Sequence, residues 1–297
     1  MDSVLVIIVT YNGMQWLDKC LNSVYESSVS LDAIVIDNGS TDGTQDYIKE
    51  NYSQVKFVQS QENLGFGKAN NIGLQYALEH NYDYVYLLNQ DAWIMPDTVD
   101  KLINIHKKNP NYGILSPFQI QANMQFLDKI FVSGVCSYPS NSYLLDDLYF
   151  NRLKDIYVVP LVMAAHWLIS KECLQQVGGF SPTFPHYGED DNYANRTLYH
   201  GFKIGIVPHA VAVHDRGNRK ETKQHKIYRG YISNLVLLSE ICNRSPHVKI
   251  SVFKRLFMQI IYFHSLMPLR YFYDIVVNMS EIKKNVSKSR KKCAFLK

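Results

Sequence analysis

Three stretches decide the fold: Val4-Leu-Val-Ile-Ile-Val-Thr-Tyr-Asn12, Ala33-Ile-Val-Ile-Asp-Asn-Gly-Ser40 and Tyr84-Val-Tyr-Leu-Leu-Asn-Gln-Asp91. Each is an apolar run without clean alternation, the pattern of a strand buried on both faces of a parallel sheet. Each also ends on Asn or Asp. In open α/β sheets ligands bind beyond the carboxyl ends of the strands. Polar groups repeated at three such ends therefore predict a ligand floor, with carboxylates suited to a ribose hydroxyl and a divalent cation.

Outward from these stretches, strand and helix alternate as far as residue 118. Helices are expected over Met14–Tyr25, Gly65–Glu79 and Asp97–Lys108, with another entered through the Asp37–Gly43 turn. Further strands are expected at Val55–Gln59 and Gly113–Ser116. Such a βαβαβαβ run predicts a doubly wound, mostly parallel sheet flanked by helices. Phe118–Val162 reads as an irregular insert closing over the sheet, with β-like runs at Ile130–Val135 and Ile156–Val159. A short helix at Lys171–Val177, a helix through Tyr193–Tyr199 and strands at Lys203–Val207 and Ala210–Val213 complete the body. Beyond Glu221 the chain reads as helical. The expected division is 1–220 for the sheet-bearing domain (in two halves, about 1–118 and 119–220, which the resemblance given below implies to be a nucleotide-sugar half and an acceptor half of a catalytic domain), 221–281 for a helical extension and 282–297 for a flexible basic tail.

Composition narrows the class. With 46% hydrophobic and 20% charged residues, the 297-residue chain is globular. Its five cysteines are scattered and form no metal-ligand or CxxC pattern, so they are expected to be reduced. The net charge of +4 conceals seven basic and no acidic residues from Ile282 to Lys297. The acidic remainder argues against a nucleic-acid-binding surface. No basic region precedes the first apolar stretch, so a signal peptide is not expected and the location reads as cytoplasmic.

The motifs each admit two readings. Asp37 and Asn38 can accept from a base or ribose, or can build an Asx turn. Asn63-Leu-Gly-Phe-Gly67 offers a glycine-rich helix entry for a phosphate, but Asn70 occupies the third glycine position of a dinucleotide fingerprint. Asp91 suits a cation that screens a diphosphate, or a turn before Pro96. Glu189-Asp-Asp191 is either a favourable helix N-terminus or the source of a general base. His214 can join a metal shell, with Arg216, Arg219 and Lys220 beyond it as a diphosphate clamp or as a solvated loop.

Taken together, Val9-Thr-Tyr-Asn12, Asp37-Asn-Gly-Ser-Thr-Asp-Gly-Thr44, Asn63-Leu-Gly-Phe-Gly67, Asn71-Ile-Gly73, Leu87-Leu-Asn-Gln-Asp91, Val177-Gly-Gly-Phe180 and Tyr187-Gly-Glu-Asp190 follow one another in a single order. The series resembles the family 2 inverting glycosyltransferases of GT-A fold, in particular the rhamnosyltransferase-like branch, over about Ser3–Gly217. The resemblance implies a UDP- or dTDP-sugar donor held by Thr10, Tyr11, Asn12, Asp37, Asn38, Gly65, Asn71, Asn89, Gln90 and Asp91. It implies Mg²⁺ or Mn²⁺ at Asp91, joined by His214, and Asp190 as catalytic base. An acceptor saccharide or lipid-linked saccharide would lie among Trp167, His186, Tyr187, Glu189 and Arg196. Two departures stand out: Gln90 in place of a proline between Asn89 and Asp91, and Asn192 in place of a second acid after the Glu-Asp pair. A non-catalytic sugar-nucleotide-binding protein and a sugar nucleotidyltransferase remain as alternatives. The latter would need a basic glycine-rich loop after the first strand, where Tyr11-Asn-Gly-Met14 stands. Phe253–Val277 mixes aromatic and basic residues and suits either peripheral contact with an anionic membrane or an ordinary helical hairpin.

Overall fold

The computed structural model describes residues 2–136, 143–216, 221–242 and 246–297. Arg219, Lys220 and Pro139 lie outside them. A nine-stranded mixed sheet forms the centre. Its parallel part joins β1 (Val4–Thr10), β2 (Asp32–Asp37), β3 (Lys56–Gln59) and β4 (Tyr84–Asn89). Beside β4 runs β8 (His166–Ser170), antiparallel and wedged between β4 and β6 (Tyr112–Ile120). Then come β9 (Lys203–His214), parallel to β6, and two short strands that pair antiparallel with β9, β5 (Ala92–Ile94) and β7 (Tyr157–Val159).

The unalternated apolar runs are explained by two cores. Leu5, Ile7, Ile34, Ile36, Val85 and Leu87 face one of them, while Val4, Val6, Ile8, Val35, Tyr86 and Leu88 face the other. The period of two is present, but both faces are buried. On the second side lie α1 (Leu17–Tyr25), α2 (Thr44–Asn51) and α4 (Thr98–Lys108), and on the first lies α3 (Phe66–Glu79). Gly73 lets α3 approach β1 closely: a Cβ there would meet Ile7 Cγ2 at 2.6 Å.

Three expectations need correction. Ile130–Val135 is not a strand but part of α5 (Lys129–Cys136). Asp128 Oδ1 accepts from the N–H groups of Ile130 and Phe131, and Phe131 and Val135 point into the core at helical spacing. The cap and the spacing override β-propensity. The strands expected at Lys203–Val207 and Ala210–Val213 are one strand, whose pairing with β6 jumps between Val207 and Val211, so that Pro208 sits in the irregularity. Finally, 282–297 is folded, not a flexible tail. It completes α12 (Met279–Ser289) and then lies against the body, where Gly179 N–H donates to Ala294 O at 2.8 Å and Cys293 N–H to Gln176 O at 3.1 Å.

Three further helices belong to the body, α6 (Leu144–Tyr149), α7 (Lys171–Val177) and α8 (Glu189–Tyr199), the last two packed on the sheet and on each other. The chain closes with α9 (Lys223–Ser239), α10 (Val248–Phe263) and α11 (Met267–Val277). These last helices form a third apolar cluster through Ile232, Leu235, Val252, Ile275 and Val286, and it includes Phe184.

Candidate active site

The carboxyl ends of β1 and β2 are tied together by Asp37. Its buried carboxylate accepts from Thr10 Oγ1 (3.0 Å), the N–H groups of Gly39 and Ser40, Ser40 Oγ and Gln45 Nε2. Asn12 reaches across the same turn, its Oδ1 accepting from Thr41 N–H at 2.9 Å. Asn38 holds the next loop, accepting from Leu64 N–H and donating to Gly65 O. The polar atoms of Thr10, Asp37 and Asn38, the expected donor-binding residues, hold these turns in place and so shape the floor. Tyr11 is different. It follows β1 directly and is 47% exposed.

Gln90 explains its own departure from the family pattern. Its side chain accepts from Tyr11 N–H at 2.8 Å and donates to Tyr11 O at 3.1 Å, bridging the ends of β4 and β1 as a ladder pair would. Asp91 follows, and the three-residue strand β5 then pairs Ala92 with His214 on β9. That pairing, with Asp215 N–H donating to Asp91 O at 2.7 Å, brings His214 Nε2 to 3.4 Å from Asp91 Oδ1. Two adjacent ligands about 2.1 Å from an octahedral cation lie about 3.0 Å apart. The pair fits one edge of such a shell. Among the described residues no cluster of three or more His, Cys, Asp or Glu is placed to hold a metal alone. A cation here would need diphosphate oxygens and water, the usual shell of Mg²⁺ beside one carboxylate.

Behind His214 stands Asp128, which the sequence did not mark. Its Oδ2 is 3.8 Å from His214 Nδ1, a nitrogen with no hydrogen-bond partner among the described residues, and accepts from Arg216 Nε at 2.7 Å. Arg216 is thus engaged with Asp128. Asp215 accepts from Trp16 Nε1 at 3.2 Å. His166 lies next to His214 but is structural. Its Nε2–H donates to Val213 O and its Nδ1 accepts from Tyr86 Oη; burial first, then His214, pushes it down to about 3.

The third wall is the start of α8. Tyr187 and Gly188 both adopt left-handed backbone (φ +69° and +82°), and Gly188 caps the helix. A non-glycine residue in that region is strained, a feature that concentrates at functional sites. Glu189, Asp190 and Asp191 follow in the first turn. Burial, then the Asp190 charge, lifts Glu189 to about 8, and the same two causes lift Asp191 to about 7. Asp190 is raised as well, by burial, against N–H groups of Asp191 and Ala164 that favour its ionised form.

Ala164 joins the walls. Ala165, next to it, accepts through its carbonyl from Asn89 N–H at 3.1 Å. On the other flank a Cβ at Gly65 would lie 2.7 Å from Pro185 O, and one at Gly67 would lie 3.7 Å from Glu189 Cβ. The loop before α8 therefore packs on the start of α3, which Asn38 fixes to β2. Asp190 is thus held beside Ala164, and Ala165 beside Asn89, two residues before Asp91.

Three expected ligands are corrected. Trp167 is buried, its indole N–H donating to Val162 O at 3.1 Å and its ring packed on Phe180 and Tyr193. Arg196 is buried too and donates to Gly179 O and Val177 O, with Tyr193 and Phe295 over its guanidinium. Asn71 grips Phe180, accepting from its N–H at 2.6 Å and donating to its carbonyl at 3.0 Å. Arg196 and Asn71 both hold the Gly178–Phe180 turn beneath α8. His186 and Tyr187 do lie at the rim, their rings 3.9 Å apart, with Tyr228 Oη donating to His186 O.

The fold is that of the GT-A glycosyltransferases. The fold is shared with a mannosyltransferase from Pyrobaculum calidifontis solved with GDP-Man and Mn²⁺, at a TM-score of 0.59 and 19% identity over 97% of this chain and 84% of that one. It is shared also with TarS 1–349 of S. aureus solved with UDP-GlcNAc, at 0.59 and 13% over 96% and 81%. The model of glycosyl transferase family 2 matches residues 5–172, and that of the N-terminal domain of galactosyltransferase matches 162–226. The chain belongs to glycosyl transferase family 2 and is a glycosyltransferase. Among its relatives are the dTDP-rhamnosyl transferase RfbF of Shigella flexneri, 23% identical over 73% of this chain and 71% of that protein, and the N-acetylglucosaminyl-diphospho-decaprenol L-rhamnosyltransferase of Mycobacterium tuberculosis, 24% identical over 73% and 77%.

Proposed function

We propose that this enzyme transfers a sugar, with inversion, from a nucleoside-diphosphate donor to a hydroxyl of a saccharide or lipid-linked acceptor. The observation that carries the reading is Asp190, held at the α8 N-terminus beside Ala164, with Ala165 beside Asn89, two residues before the Asp91 of the Asp91–His214 pair. One carboxylate is left to take a proton while another group of ligands meets a diphosphate. Asp91 and His214 would hold a divalent cation. When bound, that cation offsets the charge of the departing diphosphate. Tyr11 covers the base, and the Asp37–Asn38 turn shapes the donor floor. Asp190 removes the proton from the acceptor hydroxyl, whose oxygen attacks the anomeric carbon as the bond to the diphosphate breaks. His186 and Tyr187 border the acceptor.

The relatives named for dTDP-rhamnosyl transfer and for a diphospho-decaprenol acceptor support a dTDP-deoxyhexose donor and a polyprenyl-linked acceptor. Cell-surface polysaccharide synthesis at the inner face of the cytoplasmic membrane would fit both. Among the described residues no helix is long and apolar enough to cross a membrane.

The test is transfer and slow donor hydrolysis across a set of nucleotide sugars, with and without Mn²⁺. Asp190→Asn should lower kcat by about 10²–10⁴ while donor still raises the Tm; Asp91→Ala should lose the dependence on Mn²⁺. Full activity in Asp190→Asn would overturn the assignment of the base, and a protein that binds donor with no turnover in any variant would be a sugar-nucleotide-binding protein.

A further inference from the structure

We propose that the outward face of α10 and α11 docks on an anionic lipid bilayer. On α10 the buried stripe is Val248, Val252 and Leu256. A helix of 3.6 residues per turn places Ile250, Phe253, Phe257 and Ile261 on the opposite face, and all four are exposed, as are Met258 and Tyr262 beside them. On α11 the buried residues are Pro268 and Ile275, while Leu269, Tyr273 and Val276 face out. A helix apolar on both faces belongs in a core or against a membrane. Eleven of the 23 large exposed apolar side chains among the described residues fall between Ile250 and Val277, so the patch is concentrated. Patches of this kind mark interaction surfaces.

Charge selects the occupant. Lys254 lies within the α10 stripe, Lys249 and Arg255 flank it, and Arg270 stands on α11, all exposed. Asp274 is the sole acidic residue on the two helices, and it is half-buried. A two-fold dimer through this face would set the same basic groups against their own copies. Aromatic and aliphatic side chains interleaved with Lys and Arg instead match the boundary between acyl chains and anionic headgroups. Neither helix can span a bilayer, so both would lie in its plane.

The face is coupled to the site. Both helices pack on α9, whose Tyr228 holds His186 and whose Ile232 sits over Gly188, two residues before Asp190. Docking would fix the acceptor rim relative to the bilayer, and its purpose rests on the lipid-linked acceptor proposed above. Because 282–297 is folded against the body, substitutions on α10 are a cleaner probe than truncation.

The experiment is flotation of the full chain with vesicles of phosphatidylcholine alone or mixed equally with phosphatidylglycerol. Binding is expected to the anionic vesicles. Phe257→Glu/Ile261→Glu should weaken partition at least tenfold, Lys254→Ala or Arg255→Ala about fivefold each, and Phe257→Trp should show blue-shifted emission with vesicles. Absence of binding to anionic vesicles, unchanged flotation of the double variant, or a dimer that this variant dissolves would overturn the proposal. Donor hydrolysis by the double variant should match wild type, so loss of the transferase reading would show separately, as turnover unaffected by Asp190→Asn in a chain that still floats.

Discussion

Replacing Glu189 with Gln should stabilise the protein at alkaline pH. Glu189 is buried, and one of its oxygens, Oε2, has no hydrogen-bond partner among the described residues. Its protonated form is favoured in the folded state, burial being the main cause and the Asp190 charge the second. The stability this contributes is fully present below the ordinary value of 4.5 and is lost as pH rises through about 8. At about 1.4 kcal/mol per pH unit that range caps the loss at about 5 kcal/mol. Part of it is shared with Asp190 and Asp191, which repel the same charge, so a gain of about 1–3 kcal/mol is expected from Glu189→Gln near pH 9, with little change near pH 5. At this chain length that is a rise in Tm of roughly 2–5 °C. Thermal unfolding of both proteins from acid to alkaline pH measures it. A variant whose Tm falls with pH as steeply as wild type would refute the reasoning.

Two other substitutions probe the walls of the site. Gly188→Ala must place a Cβ 2.7 Å from Ile232 Cγ2 at a φ of +82°, and should cost about 2–4 kcal/mol, read from the denaturant midpoint; an unchanged midpoint would mean the turn relaxes freely. Asp128→Asn removes the carboxylate facing His214 Nδ1 and should weaken Mn²⁺ binding about tenfold or more, measured by the paramagnetic resonance of free Mn²⁺, and equal affinity would remove Asp128 from the cation site.

The parallel half of the sheet was legible because β1, β2 and β4 carry their own evidence: apolar runs stopped by Asn or Asp, with helices between them. The helix start that carries the proposed base was legible for a similar reason, since Tyr187-Gly188-Glu189-Asp190 is a local turn into a helix. What could not be read depends on distant pairing. Nothing around Ala92–Ile94 announces a strand, yet its pairing with β9 is what brings His214 to Asp91. Asp128 looked like one more loop acid, although its cap on Ile130 and Phe131 was a usable signal. Trp167 and Arg196 were misplaced because sequence neighbourhood to a functional motif does not distinguish a side chain that lines a site from one that supports it. Burial does, and burial is a property of the whole fold.

The return of residues 293–297 to the body also bears on biosynthesis. Ala294 O receives the N–H of Gly179, and Gln75 on α3 receives the N–H of Lys297. The turn that carries α8 therefore meets its last partner only after all the later helices have been made. A ribosome-bound chain could build the nucleotide half early and still lack a settled acceptor rim, so turnover would begin only when synthesis has passed this point. A change that lifts residues 293–297 would therefore reach, from far away in sequence, the glycines that support the start of α8.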